Sequence, residues 1–233
     1  LSDAQLATIK TADSVLEFAF PRANGYRSAG PFPVLLGADL GGSLFDTPGL
    51  GSVLGYGKAN GYFFLPDPVI RMWYMQDPQS SLADFDYRQH QARIQQISQA
   101  YDASHPDLDA FKARSGKLIM VQGTTDMQVP ESATSAYYDT LSRRYGAARS
   151  DFLRYYVQPG FGHGGGDFAL SWDALAALDK WVEVGAAPVN PVATDTNAAS
   201  AGRTRPLCEY PLYPKYAGAG DLNSASSFTC SAE

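Results

Sequence analysis

Three histidines, two cysteines and four methionines are all the imidazole and sulfur side chains in this chain of 233 residues. With so few, no HxxxH pair, no Cys/His cluster and no EF-hand spacing forms, so no metal ligand is assigned here. Basic residues are also scarce: 18 Lys and Arg stand against 24 Asp and Glu, for a net charge of −6. Nucleic-acid binding relies on clustered Lys and Arg, and isolated pairs such as Arg143-Arg144 do not supply a cluster, so no nucleic-acid partner is expected. No segment approaches the roughly 20 consecutive apolar residues of a membrane-spanning helix, so no membrane partner is expected either. There is no G-x-G-x-x-G after a strand and no GK[ST] phosphate loop. There is no G-x-S-x-G: Ser43 in "GGSLF" lacks the glycine two residues after it, Ser52 in "GLGSVLG" has Leu at both glycine positions, and neither follows a clear strand. The opening "LSDAQLATIKTA" has neither an initiator Met nor the basic-then-apolar pattern of a signal peptide. A processed or excised chain, with something upstream missing, is expected.

What is present begins with apolar content. At 45% hydrophobic and 12% aromatic, the chain can bury a sizeable core, as one domain or a domain with a subdomain. Ser2 and Gln5 form a capping-box pattern, and Leu6 and Ile9 begin an apolar face, which predicts a helix almost from residue 1. Residues 13–68 are rich in Gly and Pro, carry scattered aromatics, and hold no period for long. So long a loop-rich stretch is a lid or a disordered segment, and its aromatics favour the lid. "VIRMWYMQ", residues 69–76, can bury one side, and "RQHQARIQQISQAY", residues 88–101, reads as a polar helix with Ile94 and Ile97 inward.

From residue 106 the texture changes. "PDLDAFKARSG" is a short helix ended by Gly116, and "KLIMVQG" is a continuous apolar run that reads as a buried parallel strand. "TTDMQVP" follows, then a helix from Glu131 to Tyr145 with Ala133, Tyr137, Leu141 and Tyr145 on one stripe. "DFLRYYVQ" is the next strand and "PGFGHGGG" a loop. "SWDALAALDKWVEVG" is a helix with Trp172, Leu175, Leu178 and Val182 on one face and Gly185 at its end. This βαβα order predicts an α/β fold with a parallel sheet, whose ligands gather at the carboxyl ends of the strands.

Asp126 falls at the carboxyl end of the first strand and His163 at that of the second. If those strands are neighbours, about 5 Å apart, the carboxylate can orient the imidazole and stabilise its charged form. In α/β-hydrolases the catalytic residues follow the order Ser, acid, His, and the last two are in that order here. Taken singly, each residue has an ordinary explanation: a turn-capping Asp and an exposed loop His. The pairing on successive strand-end loops gives them weight. His90 in a polar helix and His105 before Pro106 read as surface residues.

Cys208 and Cys230 both lie in the last 26 residues, among Pro, Tyr, Gly and Ser. A disulfide stapling that irregular tail in an oxidising compartment and a pair of free thiols both fit the spacing.

Several stretches together carry a resemblance. "GKLIMVQGTTDMQVP", the Tyr pair of the following helix, "FLRYYVQPGFGHGGG", "LDKWVEVGAAP" and "TRPLCEYPLYPKYAGAGDLNSASSFTC" resemble the carboxyl-terminal half of the tannase and feruloyl esterase family. That family also includes mono(2-hydroxyethyl) terephthalate hydrolases. "LSDAQLATIK" resembles a helix start inside the family's lid. The resemblance implies the C-terminal part of an α/β-hydrolase core with a loop-rich lid segment. Residues 1–105 would be the second part of the lid, 106–186 the acid and base segment of the core, and 187–233 a disulfide-stapled tail. It makes Asp126 the acid and His163 the base of a Ser-His-Asp triad, and it pairs Cys208 with Cys230. The serine, the oxyanion hole and a structural calcium loop would lie upstream of Leu1, so the N-terminal portion of the same enzyme is the implied partner. The implied activity is hydrolysis of a small aromatic ester, in a secreted or periplasmic setting. Val129 is a candidate pocket wall, with lid aromatics Phe63, Phe64, Trp73 and Tyr74 more loosely placed.

The sequence departs from the family at one position. Members commonly carry Cys directly after the histidine, bonded to a Cys directly before the serine, and here that position is Gly164. The residue before the upstream serine is therefore expected not to be Cys. A non-catalytic, aromatic-rich binding module and a pseudo-hydrolase lacking the serine remain the alternatives.

Overall fold

A computed structural model describes residues 1–37 and 66–232. Ser43, Ser52, Phe63 and Phe64 lie outside the described residues. The chain divides into two compact units, one of residues 1–31 and 39–105 and the other of residues 32–38 and 106–233.

In the first unit, helix α1 (Asp3–Ala12) opens with the capping box expected from its sequence. The Gln5 amide N–H donates to Ser2 Oγ at 3.3 Å, and the Ser2 N–H donates to Gln5 Oε1 at 2.8 Å. Two orphan donors of the first turn are satisfied in this way. Short strands β1 (Leu16–Glu17) and β2 (Ser28–Ala29) pair antiparallel. Residues Val69–Met75 wind as a π-helix preceded by a helical turn at Pro66–Pro68. Asp67 is buried there and accepts a hydrogen bond from Arg71 Nε at 2.8 Å, one turn further on. Helix α2 (Gln91–Tyr101) buries Ile94 and Ser98 and half-buries Ile97, the inward face that its sequence predicts. Trp73 lies 4.7 Å from Tyr101, and Tyr74 stacks on Phe85 at 6.0 Å.

The second unit is built on two parallel strands, β3 (Leu118–Gly123) and β4 (Leu153–Gln158), in register from Leu118↔Leu153 to Gly123↔Gln158. Short helix α3 (Asp109–Ala113) precedes β3, and α4 (Glu131–Tyr145) crosses from β3 to β4. β4 is buried on both sides except at Arg154, whereas β3, the apolar run expected to be a buried strand, is half-buried up to Gly123. Leu153, Tyr155 and Val157 pack with Tyr138, Leu141 and Phe152 on one face. Tyr156 packs with Phe168, Ala193 and Leu207 on the other. The buried tyrosines end on polar partners: Tyr156 Oη donates to the Pro188 carbonyl at 2.8 Å, and Tyr155 Oη sits 3.1 Å from Ser135 Oγ. Burial pushes the Tyr156 phenol up to about 12, so it remains a neutral hydrogen-bond donor at working pH.

Two helix faces differ from the sequence pattern. On α4 the buried residues are Ser135, Tyr138 and Leu141, while Ala133 is exposed. The face is set by the large Tyr138 ring, which packs 5.1 Å from Tyr155 and 5.6 Å from Tyr210. Helix α5 (Ala174–Val184) begins after Trp172, with Asp173 as its N-cap, and turns Trp181 inward. Leu175 and Val182, expected inside, are exposed. Trp181 wins because Arg154 and Lys117 cover its ring at 4.9 and 5.4 Å. Trp172 still enters the core, edge-on to Tyr156 at 5.9 Å, from the segment ahead of the helix.

The tail is more ordered than its composition suggests. β5 (Leu170–Ser171), β6 (Val192–Asp195) and β7 (Thr204–Pro206) form an antiparallel sheet in that order, and β8 (Tyr213–Tyr216) pairs with β9 (Phe228–Ser231). Strands of two to four residues are too short to leave a period in the sequence. The Cys208–Cys230 disulfide is formed, with Cα atoms 5.4 Å apart and Cys208 fully buried.

Candidate active site

The parallel register ends β3 and β4 at the same level, so the loops after Gly123 and Gln158 leave the same sheet edge side by side. They are joined by main-chain bonds. The Thr124 N–H donates to the Gln158 carbonyl at 3.2 Å, the Thr125 N–H to the Phe161 carbonyl at 3.1 Å, and the Gly160 N–H to Thr124 Oγ1 at 3.1 Å. Gly123 makes this approach possible: a Cβ built on it would lie 1.9 Å from the Phe161 carbonyl oxygen.

Asp126 and His163 meet above this seam. His163 Nδ1 is 3.0 Å from Asp126 Oδ2, with the carboxylate buried and the imidazole side chain 44% exposed. The geometry makes Nδ1–H the donor, which leaves the Nε2 lone pair free on the open side of the ring. Asp126 accepts three further bonds. Oδ1 takes the Gln128 and Val129 backbone N–H groups at 2.8 and 2.9 Å, and Oδ2 takes Gln122 Nε2 at 3.1 Å. Four donors therefore match the four lone-pair sites of a carboxylate. An imidazole held in one tautomer by a fixed carboxylate, with its other nitrogen exposed, is equipped to take and return a proton.

The His163 loop is closed on itself and anchored at its far end. Phe161 and Gly166 form a bridge, and the Gly162 N–H donates to the Gly165 carbonyl at 2.6 Å. Gly164 has φ +84°, where a side chain strains the backbone, so the position after the histidine is occupied by the residue its conformation favours. Beyond the loop, Asn197 Nδ2 donates to the Gly166 carbonyl at 2.8 Å, and Arg203 donates to the Asp167 carbonyl. Both partners hang on Asp195, a fully buried carboxylate at the end of β6. It accepts from the Ala169 and Asn197 N–H groups at 3.0 Å each, from Ser200 Oγ at 2.6 Å and from Arg203 Nε at 3.0 Å. Burial by itself pushes the carboxyl's pKa up, but these donors outweigh it and bring the carboxyl down to about 2.

Of the residues singled out in the sequence, Asp126 and His163 come together. Val129 contributes its main chain to the Asp126 clasp while its side chain is exposed. Trp73 and Tyr74 belong to the other unit. His90 is half-buried against Phe85 at 5.5 Å, and His105 is exposed. Gln122, Asp195, Asn197 and Arg203 went unread. Gln122 had one visible signal, a polar residue inside a buried apolar strand. Asp195 has Asn197, Ser200 and Arg203 in the turn directly after it, a local grouping of polar residues, while Ala169 is brought to it by the fold. Among the described residues no three His, Cys, Asp or Glu side chains gather into a metal-binding group.

The family model for tannase and feruloyl esterase matches residues 67–231, which include both strand-end loops and the disulfide. The chain belongs to this family. Like other members it has an α/β-hydrolase-type fold with mixed helices and sheets. An uncharacterized esterase of Agrobacterium fabrum is 36% identical over 211 residues, 88% of this chain and 37% of that protein. The mono(2-hydroxyethyl) terephthalate hydrolase of Piscinibacter sakaiensis is 38% identical over 136 residues, 57% of this chain and 22% of that enzyme. Feruloyl esterase B of Aspergillus oryzae superposes on 99% of this chain, with a TM-score of 0.72 at 19% identity, and this chain matches 47% of its length. The chain thus spans less than half of each relative.

Proposed function

We propose that this chain supplies the acid and base of a serine-type carboxylic ester hydrolase acting on small aromatic esters. The observation that carries the reading is the hydrogen bond from His163 Nδ1 to Asp126 Oδ2 on adjacent strand-end loops. In this mechanism His163 Nε2 takes the proton of an upstream serine hydroxyl while the serine oxygen attacks the ester carbonyl. His163 returns that proton to the departing alcohol, which leaves an acyl-enzyme. It then deprotonates the water that releases the acid and regenerates the serine. Asp126 holds the Nδ1–H tautomer and stabilises the imidazolium throughout. Val129, exposed at the rim of the acid loop, is the proposed pocket wall.

The partner in this reading is the N-terminal portion of the same enzyme, which would bring the serine and its oxyanion donors. Among the described residues β3 pairs with β4 alone, and a parallel sheet of two strands is rarely stable without further strands and helices. The structural calcium that the family resemblance implies would belong to that same upstream portion. A secreted or periplasmic location fits the disulfide.

The test uses the full-length protein. A fluorophosphonate should label it covalently and an aryl ester should be turned over, while His163→Ala lowers kcat by roughly 10³-fold or more with folding retained. Turnover by His163→Ala at the rate of the unmodified enzyme would overturn the assignment. A protein that ignores the probe, cleaves no ester and binds a polysaccharide would instead be a binding module.

A further inference from the structure

Among the described residues Gln122 is the one side-chain amide that touches the acid, and its bonds extend past it. Its Nε2 donates to Asp126 Oδ2 at 3.1 Å and to the Val129 carbonyl at 3.0 Å. Its Oε1 accepts from Thr134 Oγ1 at 3.1 Å. The two acceptors on one side fix which end of the amide carries nitrogen, and the Thr134 hydroxyl satisfies the other end. The side chain therefore has a single orientation, set by three elements at once: the last turn-facing residues of β3, the acid loop and the first turn of α4. The loop from Thr124 to Pro130 is clamped across its mouth by the bond between Gln122 and Val129. Its carboxylate is fixed from inside by the Val129 and Gln128 N–H groups.

The position of the second bond gives it a mechanistic consequence. Gln122 and His163 share the same carboxylate oxygen. Each donor to a carboxylate narrows its rotation about the Cβ–Cγ bond. The two backbone donors hold Oδ1, and Gln122 adds a second donor to Oδ2 beside the imidazole's. Without Gln122, Oδ2 keeps only the histidine, and the carboxylate's tilt toward the ring is set by the Oδ1 donors alone.

We propose that Gln122 is a positioning residue for the Asp126–His163 pair and that Thr134 holds Gln122 in its working orientation. Both act through the acid. They act by keeping Oδ2 where it selects the Nδ1–H tautomer of His163. The proposal rests on the esterase reading for its kinetic arm and on geometry alone for its spectroscopic arm.

Gln122→Leu and Thr134→Val in the full-length protein separate these. With the neutral imidazole, long-range ¹H–¹⁵N spectra report which ring nitrogen carries the proton. The unmodified protein is expected to hold His163 as the Nδ1–H tautomer. Gln122→Leu should give a mixture of both tautomers, and Thr134→Val a smaller change in the same direction. On an aryl ester, Gln122→Leu should lower kcat roughly tenfold with KM within about twofold, because orientation is lost and substrate contacts are kept. Thr134→Val should lower kcat roughly threefold. A tautomer ratio and kcat unchanged in both variants would overturn the proposal, even if melting temperature falls. If Gln122→Leu does not fold, Thr134→Val carries the same decision. A protein without esterase activity would sink the proposed function while leaving the tautomer result to decide this one.

Discussion

The Gly123 Cα lies so close to the Phe161 carbonyl that a single methyl group there would stand 1.9 Å from the oxygen. That contact sets the spacing of the two loops on which Asp126 and His163 sit, because the same Phe161 carbonyl accepts from the Thr125 N–H, one residue before the acid.

Gly123→Ala must therefore push the loops apart. Overpacking of this kind costs roughly 1–3 kcal/mol, and both neighbours here are backbone, which has little room to yield. The melting temperature of the full-length protein should fall, and kcat on an aryl ester should fall further than stability alone accounts for, since the His163 bond lengthens. Calorimetry and initial rates on the purified variant check both.

Asp126→Asn keeps the shape and inverts the logic. All four groups around the carboxylate are donors, so a carboxamide places an N–H against one of them. If the amide nitrogen faces His163, Nδ1 must accept and the ring proton moves to Nε2, where the base is blocked. A drop in kcat on the order of 10³–10⁴-fold with KM little changed is expected from steady-state kinetics.

Asp195 makes the anchor of the histidine loop sensitive to acid. Its carboxyl is lowered from 3.8 to about 2 in the folded chain. A lowered value means the charged form is favoured by folding, so the stabilisation is complete above about pH 4 and is lost as pH falls through about 2. Urea unfolding should show a decline over that window. Asp195→Asn should be less stable at neutral pH by roughly 2–3 kcal/mol, since the Arg203 guanidinium loses its charged partner, and should decline less on acidification.

Reduction of Cys208–Cys230, which are 22 residues apart, removes a cross-link worth about 3 kcal/mol in the chain-entropy model. The β8–β9 pairing should loosen before the β3–β4 core, because β9 carries Cys230 and the core strands are held by α4 and the buried tyrosines. Amide hydrogen exchange with and without reductant should show protection lost first at Tyr213–Tyr216 and Phe228–Ser231.

The sequence by itself determined the local elements with strong signals: the capping box at Ser2 and Gln5, the two apolar strands, the helix from Glu131 to Tyr145, and the glycine at 185 that ends α5. These depend on neighbours within one or two turns, which a sequence displays directly. It also brought Asp126 and His163 to the ends of successive strands, because strand and loop lengths are local. The βαβα order also predicted that the strands run parallel; only the tertiary structure decided that β3 and β4 are immediate neighbours and end in register, and hence that the two side chains meet at 3.0 Å. It also decided that Tyr138 and Trp181 turn inward where the periodicity pointed elsewhere, since ring packing and cation–π contacts outweigh a one-residue rotation of the helix. The Gln122 and Asp195 networks are of the same kind. Their partners are mostly near in sequence, Asp126, Val129 and Thr134 for Gln122 and Asn197, Ser200 and Arg203 for Asp195, but the loop conformations that aim these groups at one another are set by the fold.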